Sequence, residues 1–488
     1  MAEGSVRTDW AARQGEAFSA ERANRVARNA ATSMNVMAAA RDVTKMRSYH
    51  DSFAVSIRRT GEVTYQRQSG RCWLFAAYNV ARQATMRLLD VESVEFSQAF
   101  GMFYDKLEKA NATLERVIET VNLPDDAREV QQLMDEGVDD GGYMQFALSL
   151  IEKWGIVPKD AMPETACSKD SSQMNAQLGR LVHKAASEMR AQGAQLGGPA
   201  ALRATKARYM EEVYRLLCVC LGEPPAHVDL TLAVGPACKA DPAKIAVVKP
   251  DDDRAQDGEE EGSDKPRRIL RDPHITPREF AERYVPLDPR GFVSLVSIPS
   301  ERFPFGKVYR VRRCDSVIGG IKTRFLNVAP EVLDRAAASS LQKGRPVWMA
   351  CDVMQQFPRH IEDYRHVLSP DAVDVSGLFG VDLSMDRSSM VDIGETRLTH
   401  AMCLQGVELD EAGDPVAWRV ENSWGKDAGK DGYLVMDAAW FRLYGGEVDV
   451  TRDLVDDELL GIWDDESRDV EVEPWSGMGR ALGVGARA

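Results

Sequence analysis

The sequence predicts an α+β protein in two lobes, helices first and strands second. From Gln66 to about Ile151 the apolar residues recur at helical spacing. From about Phe292 they come instead in short segments separated by turns: FVSLVSI, KVYRVRR, PVWMACDV, HAMCLQGV, AWRVENSW and GYLVMD. The residues with chemistry divide the same way, a cysteine opening a helix in the first half and a histidine and an asparagine on strands in the second.

Residues 1–60 read as an N-terminal helical arm, polar and Ala-rich, with alternating acids and bases over 1–48. MRSYHDSFAV then leads toward the next lobe, and His50 within it has no recognisable partner. Residues 61–170 form the helical lobe. In QRQSGRCWLFAAYNV, Ser69 and Gly70 make a turn, after which Leu74, Ala77, Tyr78 and Ala81 mark one buried helical face. Cys72 falls in the first turn. Unpaired N–H groups and the positive end of the dipole favour an anion there, so the thiol is expected to ionise more readily than a free cysteine at about 8.5. Gln66 precedes it in a loop long enough to bring its amide back beside the sulfur as a donor to a developing oxyanion.

Asp139-Asp140-Gly141-Gly142 interrupts the helices, and adjacent glycines permit close backbone approach. Residues 171–248 read as a helical insertion dominated by two long helices over 171–222. Residues 249–268, KPDDDRAQDGEEEGSDKPRR, are acidic and lack large apolar side chains, which predicts a mobile surface loop. Residues 269–470 form the β-rich lobe, with one helical segment at ITPREFAERYV. LTHAMCLQGV reads as a strand buried on both faces and carries His400. In WRVENSWG the alternation sets Asn422 on the apolar side with Trp418 and Val420, where it needs a partner. An imidazole N–H supplies one. Asn422 would orient His400, His400 would pair with Cys72 as thiolate and imidazolium, and Trp424 would shield their hydrogen bond from water. His360 and His366 fall in a polar loop. Residues 471–488 form a C-terminal tail.

The 488 residues carry a net charge of −15, with 44% hydrophobic and 28% charged residues. That balance is globular and opposes non-specific attraction to nucleic acid. The compact basic cluster is Lys265, Arg267 and Arg268, next to the acidic run, so a nucleic-acid partner is unlikely. No apolar run approaches the roughly 18 residues of a membrane span, and MAEGSVRTDW has no signal-peptide core, which predicts a cytoplasmic protein without membrane attachment. The eight scattered cysteines read as reduced thiols. Cys218-Val219-Cys220 reads as core thiols and not as a metal site.

RQSGRCWLFA, FSQAFGMFYDKLEKAN, DGGYMQFALSLIEKWGIVP, PVWMACDV, ETRLTHAM and ENSWG together resemble the papain superfamily of cysteine peptidases, and within it the bleomycin hydrolase and bacterial aminopeptidase C type. Position 69 is serine where the papain signature has cysteine, and His400 lies farther from Cys72 than in that signature. The resemblance implies a papain-like two-lobe fold with helical insertions and an aminopeptidase without metal or organic cofactor. It also implies a homohexamer acting on short peptides with a free N-terminus. It assigns Cys72 as nucleophile, His400 as base, Asn422 as its orienter, Gln66 as the oxyanion donor, and Gly141 and Gly142 as substrate-binding backbone. In that type the chain's terminal carboxylate, here on Ala488, captures the substrate's α-ammonium. This tail runs longer after Trp475-Ser476-Gly477-Met478-Gly479, and Arg487 would oppose an ammonium, so it is expected to be trimmed or to weaken exopeptidase action. A Cys–His–Asn site also suits an amide hydrolase or acyl transferase on a non-peptide. A non-catalytic nucleic-acid-binding protein is the remaining alternative.

Overall fold

The computed structural model describes residues 3–196, 198–248 and 267–483. The arm begins with helices Thr8–Ala20 and Arg22–Ala31, neither of which buries a side chain. The helical lobe follows with Cys72–Leu89, Gln98–Glu119, Arg128–Glu136 and Met144–Trp154. Cys72–Leu89 is buried almost all round from Trp73 to Gln83, and not only on the face that the Leu74, Ala77, Tyr78, Ala81 spacing marks. It lies between other helices and the sheet, so each face has something to cover it. Ser172–Leu196 and Pro199–Leu221 are the two long helices of the insertion.

The insertion is not helical throughout. Val228–Val234, Arg267–Ile275 and Ile245–Val248 form a separate antiparallel sheet with the middle segment of that order at its centre. VDLTLAV buries Val228, Leu230 and Val234 and exposes Asp229 and Thr231, a period-two pattern overlooked beside the long helices. Arg267 and Arg268 therefore belong to a strand and not to a loop. The rest of the expected acidic loop, Lys265 included, lies outside the described residues.

The large sheet carries the second lobe. Its order is Val470–Val472, Lys307–Val311, Phe325–Asn327, Phe292–Val296, Gly445–Thr451, Val347–Cys351, His400–Leu409, Pro415–Glu421, Tyr433–Asp437 and Val367–Leu368, with Val55–Ser56 pairing onto His400–Leu409. In the antiparallel register Ala401 opposes Ala350 and Cys403 opposes Trp348. Those four face the helical core with Trp73, while Met402, Leu404, Met349 and Val347 face a second core that contains helix Pro330–Gln342. Gly445–Thr451 escaped the sequence reading because it buries the acids Glu447 and Asp449. No helix among the described residues is long and apolar enough to cross a membrane.

Candidate active site

The loop before the Cys72–Leu89 helix is fixed by buried charge. Arg71, 2% exposed, occupies the helix N-cap position. Its guanidinium makes a two-pronged ion pair with Glu164 at 3.0 and 2.9 Å, and it donates to the Ser168 carbonyl at 2.6 Å and to Ser69 Oγ at 2.9 Å. Such planar, double contacts fix orientation as well as distance. Cys72 follows at once, so its position is set by a side chain that cannot turn freely.

Gln66 is held from both sides. Its backbone N–H donates to the Ser423 carbonyl at 2.8 Å, and its Oε1 accepts from Ser423 Oγ at 2.6 Å. One N–H of Nε2 goes to the Ser69 carbonyl at 2.6 Å, and the other has no partner among the described residues. Ser423 thus ties the loop before Cys72 to the end of strand Pro415–Glu421, just past Asn422. Sequence reasoning missed it, although its place inside the ENSWG motif was a signal.

His400 opens its strand and is 6% exposed. Its Nε2 lies 2.9 Å from Asn422 Oδ1. That oxygen also accepts the Ser423 backbone N–H at 2.8 Å, which identifies it as the carbonyl end of the amide. Nε2 must then carry the proton, and Nδ1 is left with the lone pair. Asn422 Nδ2 is buried without a partner among the described residues, so the amide is held through its oxygen alone. The Trp424 ring lies 4.7 Å from the imidazole and stacks on Phe357 at 6.3 Å.

Cys72 is brought to the same strand. The Ala401 backbone N–H, one residue beyond His400, lies where it favours the ionised Cys72 sulfur. Burial nevertheless pushes the thiol up, aided by the Asp140 charge and opposed by the N–H groups of Ala401 and Trp73. The expected downward shift is thereby corrected, because the helix start is a local effect and the enclosure around it is a larger, tertiary one. Burial also lowers His400 to about 4, against the support of Asn422.

The Asp139–Gly142 turn forms the wall beside Cys72. Trp73 Nε1 donates to the Asp140 carbonyl at 2.7 Å, and a Cβ on Gly142 would meet the Trp73 indole at 2.6 Å, so the ring admits only glycine there. Lys109 Nζ donates to the Gly141 carbonyl at 2.5 Å. Burial opposes the Asp140 charge, yet Lys106 at 2.6 Å, Ser171 and Asn175 hold the carboxyl far below its ordinary range. Asp140 also accepts the Gly70 N–H at 2.9 Å, linking this wall to the loop before Cys72.

The C-terminal segment reaches the same place. The Leu398 N–H donates to the Ala481 carbonyl at 2.8 Å, and Tyr143 Oη donates to the Leu482 carbonyl at 2.8 Å. Leu398 lies just before His400 and Tyr143 just after Gly142. Ala488 is outside the described residues. His50 and His360 are exposed, His360 accepting from Arg359, whose guanidinium lies over the Trp424 ring, and His366 is half-buried on the far edge of the sheet.

A family model described as the peptidase C1-like family matches residues 5–233 and 259–479. Aminopeptidase C of Streptococcus thermophilus is 32% identical over 437 residues, covering 89% of this chain and 90% of that protein. Aminopeptidase G of Lactobacillus delbrueckii subsp. lactis is 33% identical over 471 residues, covering 94% and 96%. The crystal structure of PepW from Lactobacillus rhamnosis superposes with a TM-score of 0.88 at 29% identity over 99% of both chains. This chain belongs to the peptidase C1-like family and is a cysteine peptidase of papain-like fold.

Proposed function

We propose that the protein is an aminopeptidase that removes N-terminal residues from short peptides, with Cys72 as nucleophile. The observation that carries this reading is the His400 Nε2 to Asn422 Oδ1 hydrogen bond, oriented by the Ser423 N–H. It leaves Nδ1 as the base on a strand whose next residue favours the ionised Cys72 sulfur. His400 takes the thiol proton and the sulfur attacks the scissile carbonyl. The oxyanion meets the free N–H of Gln66 and the backbone N–H of Cys72. His400 then protonates the leaving amine, and in the second half it takes a proton from water as that water opens the thioester. Trp424 keeps solvent from the imidazole.

The anchoring of Ala481 and Leu482 beside Leu398 and Tyr143 supports an exopeptidase. Gly483, the last described residue, lies against Leu398, two residues before His400, and the family resemblance implies that a chain terminus leaving from here captures the substrate's ammonium. The named relatives are aminopeptidases, which agrees. A cytoplasmic site of action is supported by eight cysteines that are all free, and a homohexamer rests on the family resemblance.

One peptide offered with a free and with an N-acetylated terminus tests the proposal, the products being read by mass spectrometry. Stepwise loss from the free peptide and no cleavage of the blocked one is the expected result. Internal cleavage of the blocked peptide at a comparable rate would refute exopeptidase action. Removing residues 484–488 should admit the blocked peptide if the tail is the ruler.

A further inference from the structure

We propose that Cys167 and Cys220 are a modification site, forming a reversible disulfide under peroxide that braces the loop carrying Gln66 and Arg71. The two thiols lie near enough for the Cys167 sulfur to act on the ionisation of Cys220, and both are partly exposed. They come from different elements, Cys167 from the short helix Ala166–Lys169 and Cys220 from the end of Pro199–Leu221. Thr165 Oγ1 donates to the Cys220 carbonyl at 3.0 Å while accepting the Ser168 N–H at 3.1 Å, so the backbones that carry the two sulfurs are already joined.

The position of the short helix gives the bond a consequence. The Ser168 carbonyl accepts from Arg71 at 2.6 Å, and the Lys169 carbonyl accepts the Gln68 N–H at 2.9 Å. Ser168 Oγ donates to Glu164, the carboxylate paired with Arg71. A Cys167–Cys220 bond would therefore connect the support of the nucleophile loop to the long insertion helix, across a stretch of chain that otherwise loops away.

The chemistry needs an oxidant, and hydrogen peroxide is sufficient. Burial and the neighbouring Cys167 sulfur push the Cys220 thiol up, and in the proposed step Cys167 reacts first. Its thiolate breaks the O–O bond and becomes a sulfenic acid, the departing hydroxide taking the thiol proton as water. The Cys220 thiolate then attacks that sulfur and expels the second oxygen, also as water. Two thiols are oxidised, one peroxide is reduced, and two waters leave. Because Cys220 must lose its proton, the bond should form faster as pH rises from 7 to 9.

The test uses the full-length Cys72→Ala protein, which removes the competing site thiol. It is treated with hydrogen peroxide, alkylated with iodoacetamide and mapped as non-reduced peptides. The expected result is one linked peptide containing Cys167 and Cys220, lost on dithiothreitol and absent from Cys167→Ser and Cys220→Ser versions. Closing so long a loop should raise Tm by roughly 2–5 °C in the linked protein. Separate alkylation of both cysteines after peroxide, or a link to any other cysteine, would overturn the site. A linked protein with unchanged or lower Tm would overturn the bracing.

Discussion

Arg71, Lys106 and Lys109 reach into the helix-side wall of the cleft, each against a carboxylate or several backbone carbonyls, whereas His400 on the opposite wall has one neutral amide and the rings of Trp424 and Phe357 around it. The first wall is positioned by ionised hydrogen bonds and the second by exclusion of water. The difference matches the two tasks. A nucleophile and an oxyanion donor need fixed direction, which forked charge contacts supply. A base needs a lone pair ready at working pH, which burial supplies by lowering the imidazole.

The sharpest way to break the comparison is to remove one reacting group from each wall. Cys72→Ala and His400→Ala should each lower kcat on a free-terminus peptide by about 10⁴-fold or more, with circular dichroism unchanged, because paired catalytic groups act as a unit. Gln66→Ala should cost on the order of 100–1,000-fold in kcat, the usual loss for one oxyanion donor. Asn422→Ala should be milder, since it orients the base without exchanging protons. Normal turnover in Gln66→Ala would remove it from the site.

A stability measurement separates the walls by what holds them. Glu164→Gln leaves Arg71, 2% exposed, without its anionic partner and should cost about 3–5 kcal/mol by denaturant titration, the range for breaking a buried pair. Trp424→Ala should cost less at the base itself and show mainly as a several-fold loss of kcat.

The pH dependence distinguishes them too. His400 is lowered from 6.5 to about 4, so between those values the unfolded chain binds the extra proton and stability falls as pH falls. The contribution is complete above 6.5 and lost at about 4. His400→Gln should flatten the Tm profile within that window. Asp140, held far below 3.8, keeps its contribution through the same window and gives it up only in stronger acid. A profile unchanged by His400→Gln would refute the buried neutral imidazole.

Much of the site could be read from the sequence because its residues are rare types in distinctive settings. Cys72 opens a helix, His400 lies in an apolar run, and Asn422 sits on the wrong face of a strand unless it has a partner. The structure sets His400 against Asn422 and Gln66 against Ser423. What the sequence could not show depends on contacts between distant segments. Arg71–Glu164 and Lys106–Asp140 look like ordinary surface charges in a string of letters. The direction of the Cys72 shift was misread for the same reason, as enclosure by the strand at Ala401 is invisible locally. The fold followed the same division. Strands with apolar alternation were legible, while Gly445–Thr451, with its buried acids, was not.

Iodoacetamide labelling at neutral pH, resolved by peptide mapping, tests most directly that Cys72 is the thiol His400 activates. Cys72 should be alkylated first among the eight cysteines of the unmodified protein, and His400→Ala should slow that labelling by roughly tenfold or more, since the thiol is otherwise held protonated. Faster labelling at another cysteine, or a Cys72 rate indifferent to His400, would contradict the account.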